Sequence, residues 1–441
     1  MSSKKTFSMG GIHLDKHKIS ALSPIVDAGV PEKVYIPVKQ HIGAPATLKV
    51  TKGDQVKVGT LLAEADGVVS ANVHSSVAGE VLKIEDVDGG TGYLEQVITI
   101  QTKSDEFEPQ IDLSADIIRE ITQTPEEIVA AIRSAGIVGM GGAGYPTPIK
   151  TTVPENKKAN CLIVNGIECE PYLTADGALM LEKAEQIIIG AKIINKALGI
   201  QNAIIAIDEN KPQAIEKLTK ISKSYIGVNI QVCKSIYPQG GERQLINAIT
   251  GREVPSGKLP IDVGCIVQNV GTVFAIYEAV MKHKPLYERI LTVSGDTALT
   301  TPGNYRVRIG TPANFVLNLA GTNEAAIGKL LMGGPMMGTA AAVVHAPVTK
   351  LTSGLLVMNE KQALKPDESC CIRCGKCAEI CPVGLLPFAI SSDLRRNDTS
   401  RLKQLHVMDC IECGSCAYTC PAKIPLLDYC KLGKYEFKKL K

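Results

Sequence analysis

Two copies of one twelve-residue unit constrain this chain more than any other feature. Residues 371–382 read CIRCGKCAEICP and residues 410–421 read CIECGSCAYTCP, both of the form C-I-x-C-G-x-C-A-x-x-C-P and offset by 39 positions. Three thiols at this close spacing can wrap one compact sulfur-bound centre, with Gly375 and Gly414 allowing the backbone to turn tightly between them. The fourth thiol follows a short helical turn and reaches across to the other unit. Paired zinc sites instead use two C-x2-C pairs and lack the triple run closed by proline.

The spacing resembles that of bacterial two-cluster ferredoxins. By that resemblance Cys371, Cys374, Cys377 and Cys420 hold one 4Fe–4S cluster, and Cys410, Cys413, Cys416 and Cys381 hold the second. The chain has 14 cysteines. Its first residues, MSSKKTFSMGGIHLDKHK, lack the apolar core of a signal peptide, so a reducing cytoplasmic setting and metal or redox chemistry are expected rather than disulfides. Cys370 lies outside the shared unit. Cys161, Cys233, Cys265 and Cys430 sit among apolar residues and read as core.

With 441 residues, 45% of them hydrophobic, the chain has room for several folded domains. The fold class expected is multidomain α/β plus β. Residues 1–105 read as a barrel-sandwich-hybrid domain: short Val- and Ile-rich runs alternate with Gly, Asp and Lys turns. KGDQVKVGTLLAEADG and SVAGEVLKI resemble biotinyl and lipoyl carrier domains, but the hairpin VVSANVHSS has no lysine to modify, which leaves it a structural or docking role. Residues 106–124 are polar and acidic and read as a linker, and residues 125–138 read as an amphipathic helix with proline in its first turn. Within 120–289, strands NCLIVN, NAIIAID and VNIQVC alternate with helical patterns, which argues for a parallel sheet covered on both faces. Residues 290–360 return to short strands (ILTVSGD, NYRVRIG, AAVVHAPV, SGLLVM) and read as a small β-grasp-like domain. The two-cluster domain spans 361–432, and 433–441 form a basic tail suited to solvent, an acidic partner or an anionic surface. Net charge is only +3, which gives no reason to expect nucleic-acid binding. The most apolar window is broken by proline, glycine and histidine, unlike a membrane-spanning helix.

Residues 138–150, VGMGGAGYPTPIK, satisfy G-x-G-x-x-G with Gly139, Gly141 and Gly144. A dinucleotide fingerprint needs a strand before the glycines and a helix opening within them. Here a helix precedes, and two prolines follow. The glycines still expose consecutive N–H groups that can cradle an anion, and Lys150 adds a positive charge.

GMGGAGYPTPIK, NGIECEP (165–171), YPQGGE (237–242) and QNVGT (268–272) together resemble, in order, the loops of the flavin-bearing, NADH-oxidising subunit of respiratory complex I. The resemblance implies non-covalent FMN lined by Gly141, Gly142, Gly144, Lys150, Asn165, Glu168, Gly240, Asn269 and Thr272, and NADH met by Tyr145, Glu170 and Glu242. Met140, Ile167, Gly241 and Gln268 depart from that family's Arg, Asp, Glu and Asn. No protein acid–base pair is required, because the redox chemistry belongs to the cofactor. The domain order resembles the RnfC family, components of the membrane-bound, ion-pumping ferredoxin:NAD oxidoreductases called Rnf complexes. That resemblance implies electron exchange with NAD(H) through FMN, relay through both clusters to partner Rnf-type subunits, and a peripheral place on the cytoplasmic face of the membrane. Two other readings stay open: a cobalamin reductase of diol-utilisation type, and a cluster-only relay protein without flavin chemistry of its own.

Overall fold

The computed structural model describes residues 3–88, 92–295 and 299–439. Four parallel strands, Cys161–Gly166, Ala203–Asp208, Val228–Cys233 and Cys265–Asn269, form the central sheet. The second and third lie in turn on one side of the first, and the fourth lies on its other side. Three of the strands are buried on both faces and are near-continuous apolar runs whose alternate residues enter different cores, whereas the edge strand Val228–Cys233 is half-buried and carries Asn229 and Gln231. Leu162, Val164, Ile205 and Ile266 join one core with helices Pro125–Ser134, Ala184–Leu198 and Val270–Lys282. Ile163, Ala206 and Val267 join another with Leu245 and Ile246 of helix Glu242–Thr250. The helical pattern after the first strand is two helices, Ala175–Glu182 and Ala184–Leu198, broken at Lys183. The helix expected through residue 138 ends at Ser134, because Gly136 takes φ +64° and turns the chain.

Ahead of this sheet, strands Lys33–Pro37, Leu94–Ser104, Ala78–Asp88 and Gln55–Val56 face Thr47–Leu48, Leu61–Glu64 and Val73–His74 across a core of Val34, Ile36, Leu62, Val73, Val81, Ile98 and Ile100. In the hairpin 68–76, Val68 is exposed, but Ser70 and the residues after it are turned inward. Lys350, fully buried, donates from Nζ to the carbonyls of Asn72 (2.6 Å) and Gly136 (2.7 Å), while its N–H meets Gln40 Oε1 at 2.9 Å. One lysine thereby pins three regions together, and burial pulls its amine down to about 7.

A third sheet orders Ile25–Asp27, Gly303–Arg308, Glu288–Gly295, Gly354–Met358, Lys329–Met332 and Thr339–Ala340, with helix Ala313–Leu319 packed on it. Two expectations change here. Residues 25–27 lie in this sheet, not in the sandwich. AAVVHAPV is no strand: only Pro347 bridges, to Pro312, and the edge pairing falls to Thr339–Ala340. Proline cannot donate to a ladder, which disfavours a strand there. The linker 106–124 has neither helix nor strand yet is docked: Lys282 Nζ meets Asp112 Oδ2 at 2.7 Å, and Ile118 N–H donates to Tyr277 Oη at 3.0 Å. The basic end is not a separate tail within the described residues. It continues helix Leu426–Lys439, whose Gly433 packs on Val407, Leu394 and Ile390, and positions 440–441 lie outside the described residues.

Candidate functional site

The order of the central sheet creates a crevice. The first strand leads to a neighbour on one side and the last strand lies on the other, so the chain diverges at the carboxyl ends of Cys161–Gly166 and Cys265–Asn269. Open α/β sheets take ligands at such a switch point. Asn269, the last residue of its strand, pairs in register with Asn165, the last but one of the other. Asn165 Nδ2 donates to Gly240 O at 2.9 Å, drawing the 237–242 turn to the strand end. Asn269 Oδ1 accepts the Gly271 and Thr272 N–H groups, capping helix Val270–Lys282, and its Nδ2 donates to Asp176 Oδ2 at 2.7 Å.

The glycine loop crosses the same end of the sheet. Met140 N–H donates to Thr272 Oγ1 at 2.9 Å, and a Cβ on Gly141 would stand 3.3 Å from Asn269 Cβ. Gly139 and Gly144 close a turn with Tyr145 and each other. Among the described residues, the N–H groups of Gly141, Gly142 and Ala143 meet no acceptor, and all three residues are exposed. Gly142 holds φ +109°, open to glycine alone. Three successive free amides suit a phosphate, so the loop fits the group its motif implies. Lys150 follows, its Nζ 2.6 Å from Glu242 Oε1, 3.2 Å from Val267 O and 6.0 Å from the Tyr145 ring centre.

The acidic residues of NGIECEP divide. Glu168 caps helix Ala175–Glu182 through the Asp176 and Gly177 N–H groups at 2.7 and 3.2 Å, with Lys211 Nζ at 3.5 Å. Glu170 turns the other way. Its carboxylate accepts the Met336 N–H at 3.0 Å from the third sheet's 333–338 turn, and burial raises its carboxyl to about 7. The structure therefore brings Gly141, Gly142, Lys150, Asn165, Gly240, Asn269, Thr272, Tyr145 and Glu242 to one end of the sheet, whereas the Glu170 carboxylate is occupied elsewhere. The departures Met140 and Ile167 are buried in the two cores. Gly241 begins helix Glu242–Thr250, and Gln268 is buried with its Nε2 unpartnered among the described residues. Asp176 escaped the sequence reading for want of any motif around it.

The two cysteine units adopt matching backbones. Arg373 and Glu412 both hold φ +57°, Gly375 and Gly414 both hold φ +75°, and each unit runs into a short helix, Lys376–Glu379 or Ser415–Thr419. Cys381, Cys410, Cys413 and Cys416 line one hollow whose other walls include Ile380, Ile411 and Leu427. Backbone amides of Leu385 and Glu412 donate to the Sγ atoms of Cys381 and Cys410 at 3.3 and 3.4 Å. An apolar hollow lined by thiols, with backbone amides on two of their sulfurs, fits a 4Fe–4S cluster. Cys377 and Cys420 are buried together, whereas Cys371 and Cys374 lie exposed on the preceding loop. Cys430, read as core, also lines the hollow and contacts Cys410 and Cys416.

The hollow is joined to the crevice. Tyr237 Oη donates to Cys413 O at 2.8 Å, Gln244 Nε2 to Pro382 O at 3.1 Å, and Ser256 Oγ to Asp409 Oδ2 at 2.6 Å.

Family models match three stretches: the RnfC barrel-sandwich-hybrid domain over 5–105, the Nuo51 FMN-binding domain over 132–278, and a 4Fe–4S dicluster domain over 370–424. The chain is 44% identical over 386 residues to the C component of the proton-translocating ferredoxin:NAD(+) oxidoreductase complex of Clostridium ljungdahlii, covering 87% of this chain and 83% of that one. It is 42% identical over 436 residues to the C component of the Na(+)-translocating ferredoxin:NAD(+) oxidoreductase complex of Acetobacterium woodii, covering 97% and 96%. A crystal structure of an NAD+-reducing nickel–iron hydrogenase shares the fold at TM-score 0.50 and 17% identity, over 72% of this chain and 61% of that one. With matching domains in matching order and such identity along nearly its whole length, the chain belongs to the RnfC family, the C components of ion-translocating ferredoxin:NAD oxidoreductase (Rnf) complexes.

Proposed function

We propose that this chain exchanges electrons with NAD(H) through FMN at the switch-point crevice and relays them through two 4Fe–4S clusters to partner subunits of an ion-translocating complex, peripherally on the cytoplasmic face of its membrane. The carrying observation is the row of free amides at Gly141, Gly142 and Ala143 over the paired strand ends Asn165 and Asn269. FMN, when bound, links two-electron hydride chemistry to one-electron cluster chemistry.

The chain's own residues bind and orient. The three amides and Lys150 offer a phosphate donors and positive charge. Asn165, Glu168, Gly240, Asn269 and Thr272 wall the crevice, while Tyr145 and Glu242 stand beside Lys150 where a nucleotide approaches. The hydrogen bond from Tyr237 to Cys413 supports an inner place for the cluster of Cys381, Cys410, Cys413 and Cys416, next to the crevice. The exposure of Cys371 and Cys374, with Ile372 between them 67% exposed, supports an outer place for the other cluster, facing a partner's redox centre. No described helix is long and apolar enough to cross a membrane, in keeping with attachment through partners.

FMN titration into the cluster-loaded chain, followed by quenching of flavin fluorescence, tests the reading. Lys150→Ala should weaken FMN binding at least about tenfold, the scale of one lost charged hydrogen bond, with iron content unchanged. Equal loss of FMN and iron would make Lys150 a structural residue and remove this support.

A further inference from the structure

Residues 10–18, GGIHLDKHK, take no part in the flavin or cluster assignments, yet they touch both sites. Gly11 N–H donates to Ile380 O at 2.9 Å. Gly10 holds φ +66°, and a Cβ there would stand 2.6 Å from Ile380 O and 2.7 Å from the Cys381 carbonyl. The segment thus lies flat on the backbone of an inner-cluster cysteine, at a separation only glycine permits. Ile12 exchanges two backbone hydrogen bonds with Tyr237, both 2.8 Å, and packs with Tyr237 and Cys413. Lys16 accepts the Tyr172 N–H on its carbonyl at 2.9 Å and sends Nζ to Asp208 Oδ2 at 3.3 Å.

The segment ends at Lys18. Its Nζ donates to the carbonyls of Glu168 at 2.8 Å, Glu170 at 2.9 Å and Leu173. An ammonium has three donors, and here three carbonyls of one short loop use all of them. That loop needs a clamp. Glu168 at φ +50° and Tyr172 at φ +68° both hold left-handed backbone without glycine, a strained conformation for a residue with a Cβ. Burial pulls the amine down to about 8, a cost that vanishes with the side chain; what its removal leaves behind is the strain of the two left-handed residues and three carbonyls without their donor.

We propose that residues 10–18 are a positioning strap shared by the two redox centres: Lys18 sets the 168–173 loop at the flavin crevice, and Gly10 and Gly11 set the Cys381 backbone at the inner cluster. The proposal rests on the reading of those two sites given above. One continuous segment then fixes both the approach of nucleotide to flavin and the placement of the inner cluster against the crevice.

The test uses the full chain, reconstituted with FMN, iron and sulfide and mixed with NADH under anaerobic stopped flow, with a potentiometric paramagnetic-resonance titration of the inner cluster alongside. Lys18→Met keeps the length and removes the donors. It should raise the KM for NADH or slow flavin bleaching about tenfold, in keeping with the steep cost of small misplacements, and leave iron content and both cluster signals unchanged. Gly10→Ala should leave flavin bleaching unchanged, slow the cluster absorbance change about tenfold and shift the inner cluster's midpoint potential. Ile12→Ala, which thins the strap's neighbouring contact with Tyr237 and Cys413 without a backbone clash, takes its place if that chain does not accumulate. Variants that keep both rates within about twofold of the parent, or that lose FMN and iron together, overturn the strap. If the unaltered chain takes no electrons from NADH, the flavin reading itself fails, and the potential shift in Gly10→Ala still decides the cluster half.

Discussion

At the scale of the residue, Glu170 shows how burial redirects a side chain that a motif would place on a ligand. Its neighbours spell the acidic loop of a nucleotide site, but its carboxylate accepts a backbone N–H from the 333–338 turn. Burial lifts its carboxyl from 4.5 to about 7, so folding favours the protonated form. Between those values the folded state binds more protons than the unfolded chain, and stability falls as pH rises. Glu170→Gln removes the charge and keeps an acceptor. Its thermal midpoint should match the parent near pH 4.5 and exceed it increasingly up to pH 7, by at most about 3 kcal/mol of stability. A difference that stays constant from pH 4.5 to 8 would contradict this. Lys150, Asn165, Asn269 and Thr272 each stand in a motif, and the fold brings all four to one end of the central sheet. Asp176, Lys18 and Cys430 were not legible in the sequence, because their roles arise from contacts between distant segments that no local spacing encodes.

At the scale of the element, the cysteine units were the most legible part, since ligand spacing and backbone turn are both written within twelve residues. Their equivalence in the structure, down to the paired left-handed residues Arg373 and Glu412, makes a specific prediction. Cys374→Ser should remove the outer cluster's paramagnetic signal and leave the inner one, whereas Cys413→Ser should remove the inner one. Retention of both signals in either variant would sink the ligand assignment. Three of the four central strands are equally plain, as apolar runs buried on both faces with helices between them. The third sheet was harder to read. Its edge strand, Ile25–Asp27, comes from more than 250 residues away, and AAVVHAPV has strand-like residues but a proline where a donor is needed. Periodicity reports which face is buried, not which distant strand completes a sheet.

At the scale of the whole molecule, the domains act through their seams. Lys350 ties the sandwich hairpin to the end of helix Pro125–Ser134, the strap ties the flavin loops to Cys381, and Tyr237 ties the crevice to Cys413. Domain order was readable from motifs, whereas the seams depend on tertiary packing. They underlie the central claim, that one chain carries electrons between nucleotide and clusters. Its most direct test is anaerobic: the chain alone, reconstituted with FMN, iron and sulfide, receives NADH while its visible spectrum is followed. The flavin band should bleach first, and the broad cluster absorbance after it. Clusters that bleach with dithionite while NADH changes neither band would contradict the claim, and would leave the chain a cluster relay without flavin chemistry of its own.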